Sequence, residues 1–183
     1  MTSSSMTRCS FMASSIAGAT TLHARTLFAR NPNNAKENPM TDMPNIPLTS
    51  HHLVEVDGVN VFYREAGPAT APVLLLLHGF PTSSFQYREF IPRLADRYHV
   101  IAPDLPGFGF TEVPTARNYT YSFESLAKTL LAFANALKLS RYAMYVFDYG
   151  APTGFRLALM APERVTAIIS QNGNAYEEGL GAA

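Results

Sequence analysis

The alternation of apolar and polar residues predicts a sheet that begins with a hairpin. Two alternating runs, residues 53–56 and 59–63, flank Asp57-Gly58, and an Asp-Gly pair between such runs is a strong signal for a two-residue turn. The following run, Val73–Leu77, is continuously apolar, which is typical of a strand buried on both faces of a parallel sheet. The folded part of the chain is therefore expected to start with an antiparallel pair and to continue into a buried strand.

Downstream of this strand, helical and strand patterns alternate. Helical spacing of apolar residues predicts helices over residues 84–97, 122–137 and 150–160. Short apolar runs predict strands over residues 100–102, 142–147 and 165–170. This order implies right-handed crossovers and predicts an α/β fold with a doubly wound, mostly parallel sheet that carries an antiparallel hairpin at its start.

The first 46 residues differ in character from the rest of the chain. They are rich in Ser, Thr, Ala and Asn, contain no acidic residue before Glu37, and show no sustained period of a helix or strand. We expect residues 1–46 to be a disordered extension and residues 47–183 to form the folded domain. Arginines among many serines weakly resemble an organelle transit peptide. The alternative is a mis-assigned extension ahead of Met40 or Met43.

Composition narrows the classes of partner. Acidic and basic residues number 14 each, so the chain lacks the excess positive charge that is typical of proteins that bind nucleic acid or an anionic membrane. The single cysteine, Cys9, excludes an intramolecular disulfide and a cysteine-based metal cluster, and the longest apolar run is too short to cross a bilayer. We expect a cytoplasmic protein without metal or cofactor that acts on a small uncharged organic molecule.

Asp148 is the residue with the strongest chemical signal. It follows the predicted strand 142–147, and the small residues Gly150 and Ala151 after it fit a tight strand-turn-helix that pushes the central side chain out of the sheet. The serine form of this turn reads Gly-x-Ser-x-Gly, whereas here Val146 replaces the first glycine and Asp148 the serine. The pattern indicates a carboxylate nucleophile. The alternative is that Asp148 only caps the following helix.

Two other loops follow strands of the predicted sheet, where ligands of such sheets bind. In residues 78–84, Gly79 permits a conformation that can turn a backbone N–H into a pocket, and Pro81 stiffens the loop. This arrangement suits an oxyanion site, and the alternative is an ordinary turn with a serine as the helix cap. In residues 104–110, glycines allow close backbone packing, but the Gly-x-Gly there lacks the third glycine of a dinucleotide site.

Together these motifs resemble the α/β-hydrolase superfamily, and within it the branch of epoxide hydrolases and haloalkane dehalogenases. The resemblance covers about residues 53–174 and rests on His78-Gly79-Phe80-Pro81, on residues 102–109 (APDLPGFG), and on the turn at Asp148. The stretch from Pro81 to Ser84 is similar to dehalogenases, whereas Phe80 is more usual in epoxide hydrolases. Tyr149 departs from both, because these enzymes commonly carry Trp after the nucleophile and this chain contains no Trp.

The resemblance implies a two-step reaction. Asp148 would attack an electrophilic carbon to form an alkyl-enzyme ester, and a histidine-activated water would then hydrolyse that ester. The backbone N–H groups of Phe80 and Tyr149 would stabilise the oxyanion, within a loop completed by His78, Gly79 and Pro81. The family places its histidine base near the carboxyl terminus, beneath a helical cap. The sequence shows neither, so we expect a truncated α/β-hydrolase fold without cap and last strands, able to form the ester but not to turn over.

Two further expectations concern the histidines and the sheet edge. No histidine in the chain is expected to act as the base, since His78 belongs to the oxyanion loop and His99 should lie at the opposite end of its strand. The strand over residues 165–170 is expected to form an uncovered sheet edge that favours self-association. The alternatives to an epoxide hydrolase are a haloalkane dehalogenase-like hydrolase and a non-catalytic α/β module that binds a small ligand or a partner chain.

Overall fold

The sheet contains six strands in the order β1-β2-β4-β3-β5-β6 within residues 47–175, which the computed structural model describes. The strands are β1 (Ser50–Val56), β2 (Val59–Ala66), β3 (Val73–Leu77), β4 (His99–Pro103), β5 (Tyr142–Phe147) and β6 (Val165–Gln171). β1, β2 and β4 pair antiparallel, whereas β4, β3, β5 and β6 pair parallel. The predicted mixed sheet is confirmed. The predictions for residues 1–46 lie outside the described residues.

The hairpin turn has the conformation that its sequence demands. Asp57 and Gly58 have φ values of 50° and 72°, and positive φ at both central residues is the signature of a type I′ turn. Val56 pairs with Val59 directly beside the turn, and both side chains are buried. The turn therefore sets the register of β1 and β2.

Helices cover both faces of the sheet. They are α1 (Ile91–Leu94), α2 (Phe123–Ala136) and α3 (Gly150–Met160), with short 3₁₀ turns at Ser84–Tyr87, Thr115–Arg117 and Pro162–Arg164. Alternate leucines of β3 enter two apolar layers, because Leu75 and Leu77 pack with α2 and α3, whereas Leu74 and Leu76 pack with α1. Fully burying one such leucine stabilises the fold by roughly 2 kcal/mol. The doubly wound arrangement is thus confirmed.

The predicted continuous helix over residues 84–97 is wrong. The chain forms a 3₁₀ turn and the four-residue α1 there, with short-range bonds such as Phe90 N–H to the Tyr87 carbonyl at 2.9 Å. Tyr87 is buried and donates its hydroxyl to the Leu77 carbonyl at 2.8 Å, whereas Phe85 is 54% exposed. Of the residues that set the predicted helical phase, Leu94 packs against the core, whereas Phe85 does not.

The outer strand β6 forms an uncovered edge in the described part of the chain. It pairs with β5, and six of its seven residues are exposed. Ile168 and Ile169 keep 40% and 53% of their surface in contact with solvent. The apolar edge expected from the sequence is present in residues 47–175, and self-association through it remains a prediction.

Candidate active site

Three loops meet at one edge of the sheet. Because β3, β4 and β5 run parallel, the segments that follow them leave the sheet on the same side. These segments begin at His78, Asp104 and Asp148, and the contacts described below join all three. The three loops predicted to hold the site therefore lie together at one edge of the sheet.

The turn at Asp148 is as tight as its sequence indicates. Asp148 has a φ of 49°, a left-handed conformation that is uncommon for a residue other than glycine and that clusters at functional sites. A Cβ atom on Gly150 would lie 2.2 Å from the Leu77 carbonyl oxygen, and one on Gly154 would lie 2.6 Å from Val146 Cγ1. Helix α3 can therefore approach β3 and β5 only because these positions lack a side chain.

Two backbone N–H groups hold the Asp148 carboxylate. Its Oδ1 atom accepts a hydrogen bond from Phe80 N at 2.8 Å and from Tyr149 N at 2.7 Å. The residue that caps α3 is Tyr149, and no side-chain bond caps that helix. A simple helix cap would instead accept from N–H groups inside the first turn, so these contacts do not fit the capping alternative for Asp148.

Gly79 is required for space rather than for backbone freedom. A Cβ atom there would lie 2.4 Å from Asp148 Cβ and 2.8 Å from Asp148 Oδ1. Its φ is not in the left-handed region, so the backbone freedom expected of this glycine is not what the position requires. The loop is closed by Thr82 N–H on the Gly79 carbonyl at 3.1 Å, and the Phe80–Pro81 peptide bond is cis. The loop brings the Phe80 N–H to Asp148 and also has Ser83 as the cap of its 3₁₀ turn.

His78 is buried and ties two of the loops together. Its Nε2 accepts from Leu105 N at 2.9 Å, and its Nδ1 lies 3.0 Å from the Gly79 carbonyl. This pair of partners assigns a neutral imidazole with the proton on Nδ1. Burial lowers the pKa of His78, while the hydrogen bond to Gly79 and the charge of Asp104 act in the opposite sense. The side chain thus supports the loop over residues 78–84 from inside.

Asp104 joins the same loops, a role that the sequence analysis did not assign. Its Oδ1 accepts from Ser84 N at 2.7 Å, and its Oδ2 accepts from Phe110 N at 2.8 Å. A Cβ atom on Gly109 would lie 1.9 Å from Oδ2, so this glycine is needed for the close approach. The signal available in the sequence was an aspartate directly after a buried strand and before two glycines.

A cavity of about 500 Å³ opens beside Tyr149, the residue that follows Asp148. Half of its eight lining residues are aromatic and none is charged: Pro106, Gly107, Phe108, Tyr121, Ser122, Phe123, Leu126 and Tyr149. The Tyr149 ring lies 5.1 Å from the Phe123 ring and 5.6 Å from the Phe80 ring, measured between centroids. The sequence did not predict this cavity, because its walls come from separate segments.

The histidines of the described region do not contact Asp148. His51 contacts Arg64 at 2.5 Å, and both His52 and His99 contact Glu65, at 3.3 Å and 2.5 Å. Residues 47–175 therefore provide a carboxylate and its two N–H donors but no histidine positioned as a base.

In the same residues, no group of three or more His, Cys, Asp or Glu side chains could hold a metal ion. No helix in this part of the chain is long and apolar enough to span a membrane.

Comparisons with known proteins identify relatives of this arrangement. The family model for the α/β hydrolase fold matches residues 72–182. An uncharacterized hydrolase of Saccharomyces cerevisiae is 57% identical over 138 residues, which is 75% of this chain and 47% of that protein. A haloalkane dehalogenase of Mycolicibacterium paratuberculosis is 33% identical over 149 residues, covering 79% of this chain and 48% of the relative.

A solved structure agrees with the sequence relatives. The crystal structure of an epoxide hydrolase from Vigna radiata matches with a TM-score of 0.61 and 33% sequence identity, over 67% of this chain and 38% of that one. The chain spans about half the length of the curated relatives it matches. The likeness therefore concerns the part of the fold that holds the three loops.

Proposed function

The chain belongs to the α/β-hydrolase fold family, and from this premise we propose that it is a hydrolase whose nucleophile is Asp148. Its substrates in this proposal are small, uncharged organic molecules with an electrophilic carbon, and epoxides are the class that we favour. The cavity at Tyr149, whose lining is half aromatic and uncharged, supports this choice, because such a lining desolvates an apolar ligand without leaving a charge unpaired.

One observation carries the proposal: both N–H donors bind the same oxygen of Asp148. Attack through Oδ2 converts the carboxylate into an ester whose carbonyl oxygen is Oδ1. When water later adds to that ester, negative charge develops on Oδ1, where the N–H groups of Phe80 and Tyr149 already point. Donors that are fixed in advance on such an oxygen stabilise the transition state of acyl transfer.

The two steps place different demands on the chain. Ester formation needs the carboxylate and a bound electrophile, and residues 47–175 contain the carboxylate and the cavity. Ester hydrolysis also needs a base within reach of the attacking water, and within the described residues no histidine contacts Asp148. Neither step transfers electrons to or from an acceptor, so the proposed reaction needs no cofactor.

Intact-protein mass spectrometry tests the proposal. The chain is incubated with styrene oxide, and the expected result is a mass increase equal to one whole epoxide, or release of the diol if the ester is hydrolysed. Asp148→Asn should abolish both signals, because an amide is a far weaker nucleophile than a carboxylate. Equal labelling of the wild-type and Asp148→Asn chains would contradict the proposal and favour a non-catalytic binding module.

Haloalkane dehalogenase activity is the second candidate, favoured by the relative of that name. In the family pattern that the sequence resembles, Trp follows the nucleophile and its indole N–H helps to hold the halide. Tyr149 occupies that position here. Benzyl chloride discriminates the two candidates: a dehalogenase should release chloride from it at least as fast as it opens styrene oxide, whereas the favoured proposal predicts the reverse order of rates.

A further inference from the structure

The cavity beside Tyr149 contains few groups able to exchange a proton with a bound molecule. Its polar side chains are Tyr121, Ser122 and Tyr149. The Ser122 hydroxyl is already occupied, since it caps α2 by accepting from Ser125 N at 3.1 Å and also contacts the Ser125 hydroxyl at 3.0 Å. The phenol groups of Tyr121 and Tyr149 are therefore the hydroxyls left for a ligand in this cavity.

Tyr149 is the one of these two residues whose backbone contacts the Asp148 carboxylate. Its backbone N donates to Asp148 Oδ1, as does the N of Phe80, and the rings of these two residues lie 5.6 Å apart. The rings of the two residues that donate to the carboxylate thus lie next to each other. Within residues 47–175 the Tyr149 hydroxyl makes no hydrogen bond in competition with a ligand, and 40% of the residue is exposed.

Aromatic rings fix the position of Tyr149. Phe123 and Phe108 lie 5.1 Å and 6.3 Å from its ring centroid, both nearly perpendicular to it. Edge-to-face contacts of this kind hold a ring in one orientation. The hydroxyl is consequently carried on a packed ring at the wall of the cavity rather than on a freely rotating side chain.

We propose that Tyr149 is the proton donor to the leaving oxygen of an epoxide bound in this cavity, an inference that rests on the proposed function of Asp148. As a lone pair of Asp148 Oδ2 forms the new bond to the ring carbon, the carbon–oxygen bond of the epoxide breaks and its electron pair moves to oxygen. The phenolic proton of Tyr149 transfers to that oxygen, which gives a hydroxy ester and a tyrosinate. Solvent then returns a proton to the tyrosinate.

This role separates epoxides from alkyl halides as substrates. The oxygen that leaves during ring opening is an alkoxide, which is much more basic than a phenolate, so proton transfer from Tyr149 is downhill. A halide leaves as a stable anion and needs no proton. Tyr149 therefore determines specificity at this site by lowering the barrier for epoxides and leaving that for halides nearly unchanged.

Two probes with the same aryl group test the inference. Styrene oxide and benzyl chloride both present a phenyl ring and a benzylic carbon but differ in the leaving atom. The rate of attack on each is measured by acid quench, as the sum of Asp148 ester and released product. Tyr149→Phe should slow the reaction with styrene oxide by about 100-fold and that with benzyl chloride by less than about threefold.

Tyr98→Phe is the matched control, because Tyr98 is partly exposed and lies outside the cavity lining; both rates should stay at the wild-type level. Equal slowing with both probes, or no slowing with styrene oxide, would overturn the role of Tyr149. So would a selective loss in Tyr121→Phe with none in Tyr149→Phe. If the wild-type chain attacks neither probe through Asp148, the proposed function fails, and the role of Tyr149 fails with it.

Discussion

Asp104 and Asp148 follow the two strands that flank β3, and each accepts two backbone N–H bonds, yet they are held differently. Asp104 uses both oxygens, one for Ser84 N and one for Phe110 N, and it is fully buried. Asp148 receives both of its bonds on Oδ1 and is only half-buried. The number of bonds is the same, but their distribution over the two oxygens is not.

In the proposed function, this difference separates a carboxylate that joins loops from one that reacts. A carboxylate whose two oxygens are both bonded to buried N–H groups stabilises those groups and offers nothing to a substrate. A carboxylate held through one oxygen is oriented by its partners while the other oxygen remains outside these two bonds. The left-handed backbone of Asp148, with φ at 49°, adds the strain that is common at functional positions.

The largest expected effect is on chemistry, in Asp148→Asn. Attack on styrene oxide should fall by at least about 1,000-fold, because the variant lacks the nucleophilic oxygen. The free energy of unfolding should change by less than about 1 kcal/mol, since the amide oxygen can still accept from Phe80 and Tyr149. Rapid-quench kinetics and urea denaturation measure the two quantities, and a large loss of stability would show that Asp148 is structural.

The same substitution at Asp104 should give the opposite pattern. Asparagine has one acceptor oxygen, so Asp104→Asn turns an NH₂ group toward either Ser84 N–H or Phe110 N–H. Leaving a buried donor without an acceptor should lower the free energy of unfolding by about 3 kcal/mol, measured by urea denaturation. If Asp104→Asn is as stable as Asp148→Asn, the distinction between the two carboxylates is wrong.

Gly79→Ala should displace the Asp148 carboxylate without changing its chemistry. The added Cβ would lie 2.4 Å from Asp148 Cβ, and a misplacement of this scale lowers a rate by about 100-fold. The measurement is the rate of ester formation with styrene oxide. Thr82→Ala, at an exposed position of the same loop, is the control and should stay within about twofold of wild type. A wild-type rate in Gly79→Ala would refute the contact.

A smaller effect is expected from His78 as pH falls. Burial lowers its pKa below the ordinary 6.5, so the folded state stays neutral where the unfolded state already binds a proton. The free energy of unfolding should therefore fall as pH drops below 6.5, by up to about 1.4 kcal/mol per pH unit, until the folded pKa is reached.

His78→Gln provides the comparison for this pH effect. Glutamine keeps an acceptor for the Leu105 N–H but cannot take up a proton. Urea denaturation between neutral pH and about pH 5 should give a shallower decline for the variant than for the wild-type chain. Parallel declines would mean that protonation of His78 does not contribute to the pH dependence of the free energy of unfolding.

The sequence predicted local features of the site better than the contacts between its parts. The strand Tyr142–Phe147 and the helix Gly150–Met160 have the predicted bounds. The apolar run indicates the strand, and the two small residues after Tyr149 indicate where the helix begins. Asp104 gave no comparable signal, since one of its two partners, Ser84 N, comes near it only after β3 and β4 have paired. The cavity beside Tyr149 escaped prediction for the same reason.

The failed helix over residues 84–97 has a related cause. Its predicted phase came from large apolar residues such as Phe85, but Phe85 is exposed and Tyr87 is buried instead. The bond from the Tyr87 hydroxyl to the Leu77 carbonyl helps to hold this turn against β3. A periodicity read along one segment does not include a contact with another strand, so tertiary packing overrode it.

The most direct test of the central claim follows the oxygen atoms of Asp148. The chain is incubated with styrene oxide in water enriched with heavy oxygen, digested, and the peptide containing Asp148 is sequenced by tandem mass spectrometry. The account predicts that this peptide carries either the alkyl ester or one heavy oxygen in the side chain of Asp148. Formation of diol that takes its heavy oxygen directly from water, with an unchanged Asp148 peptide, would contradict it.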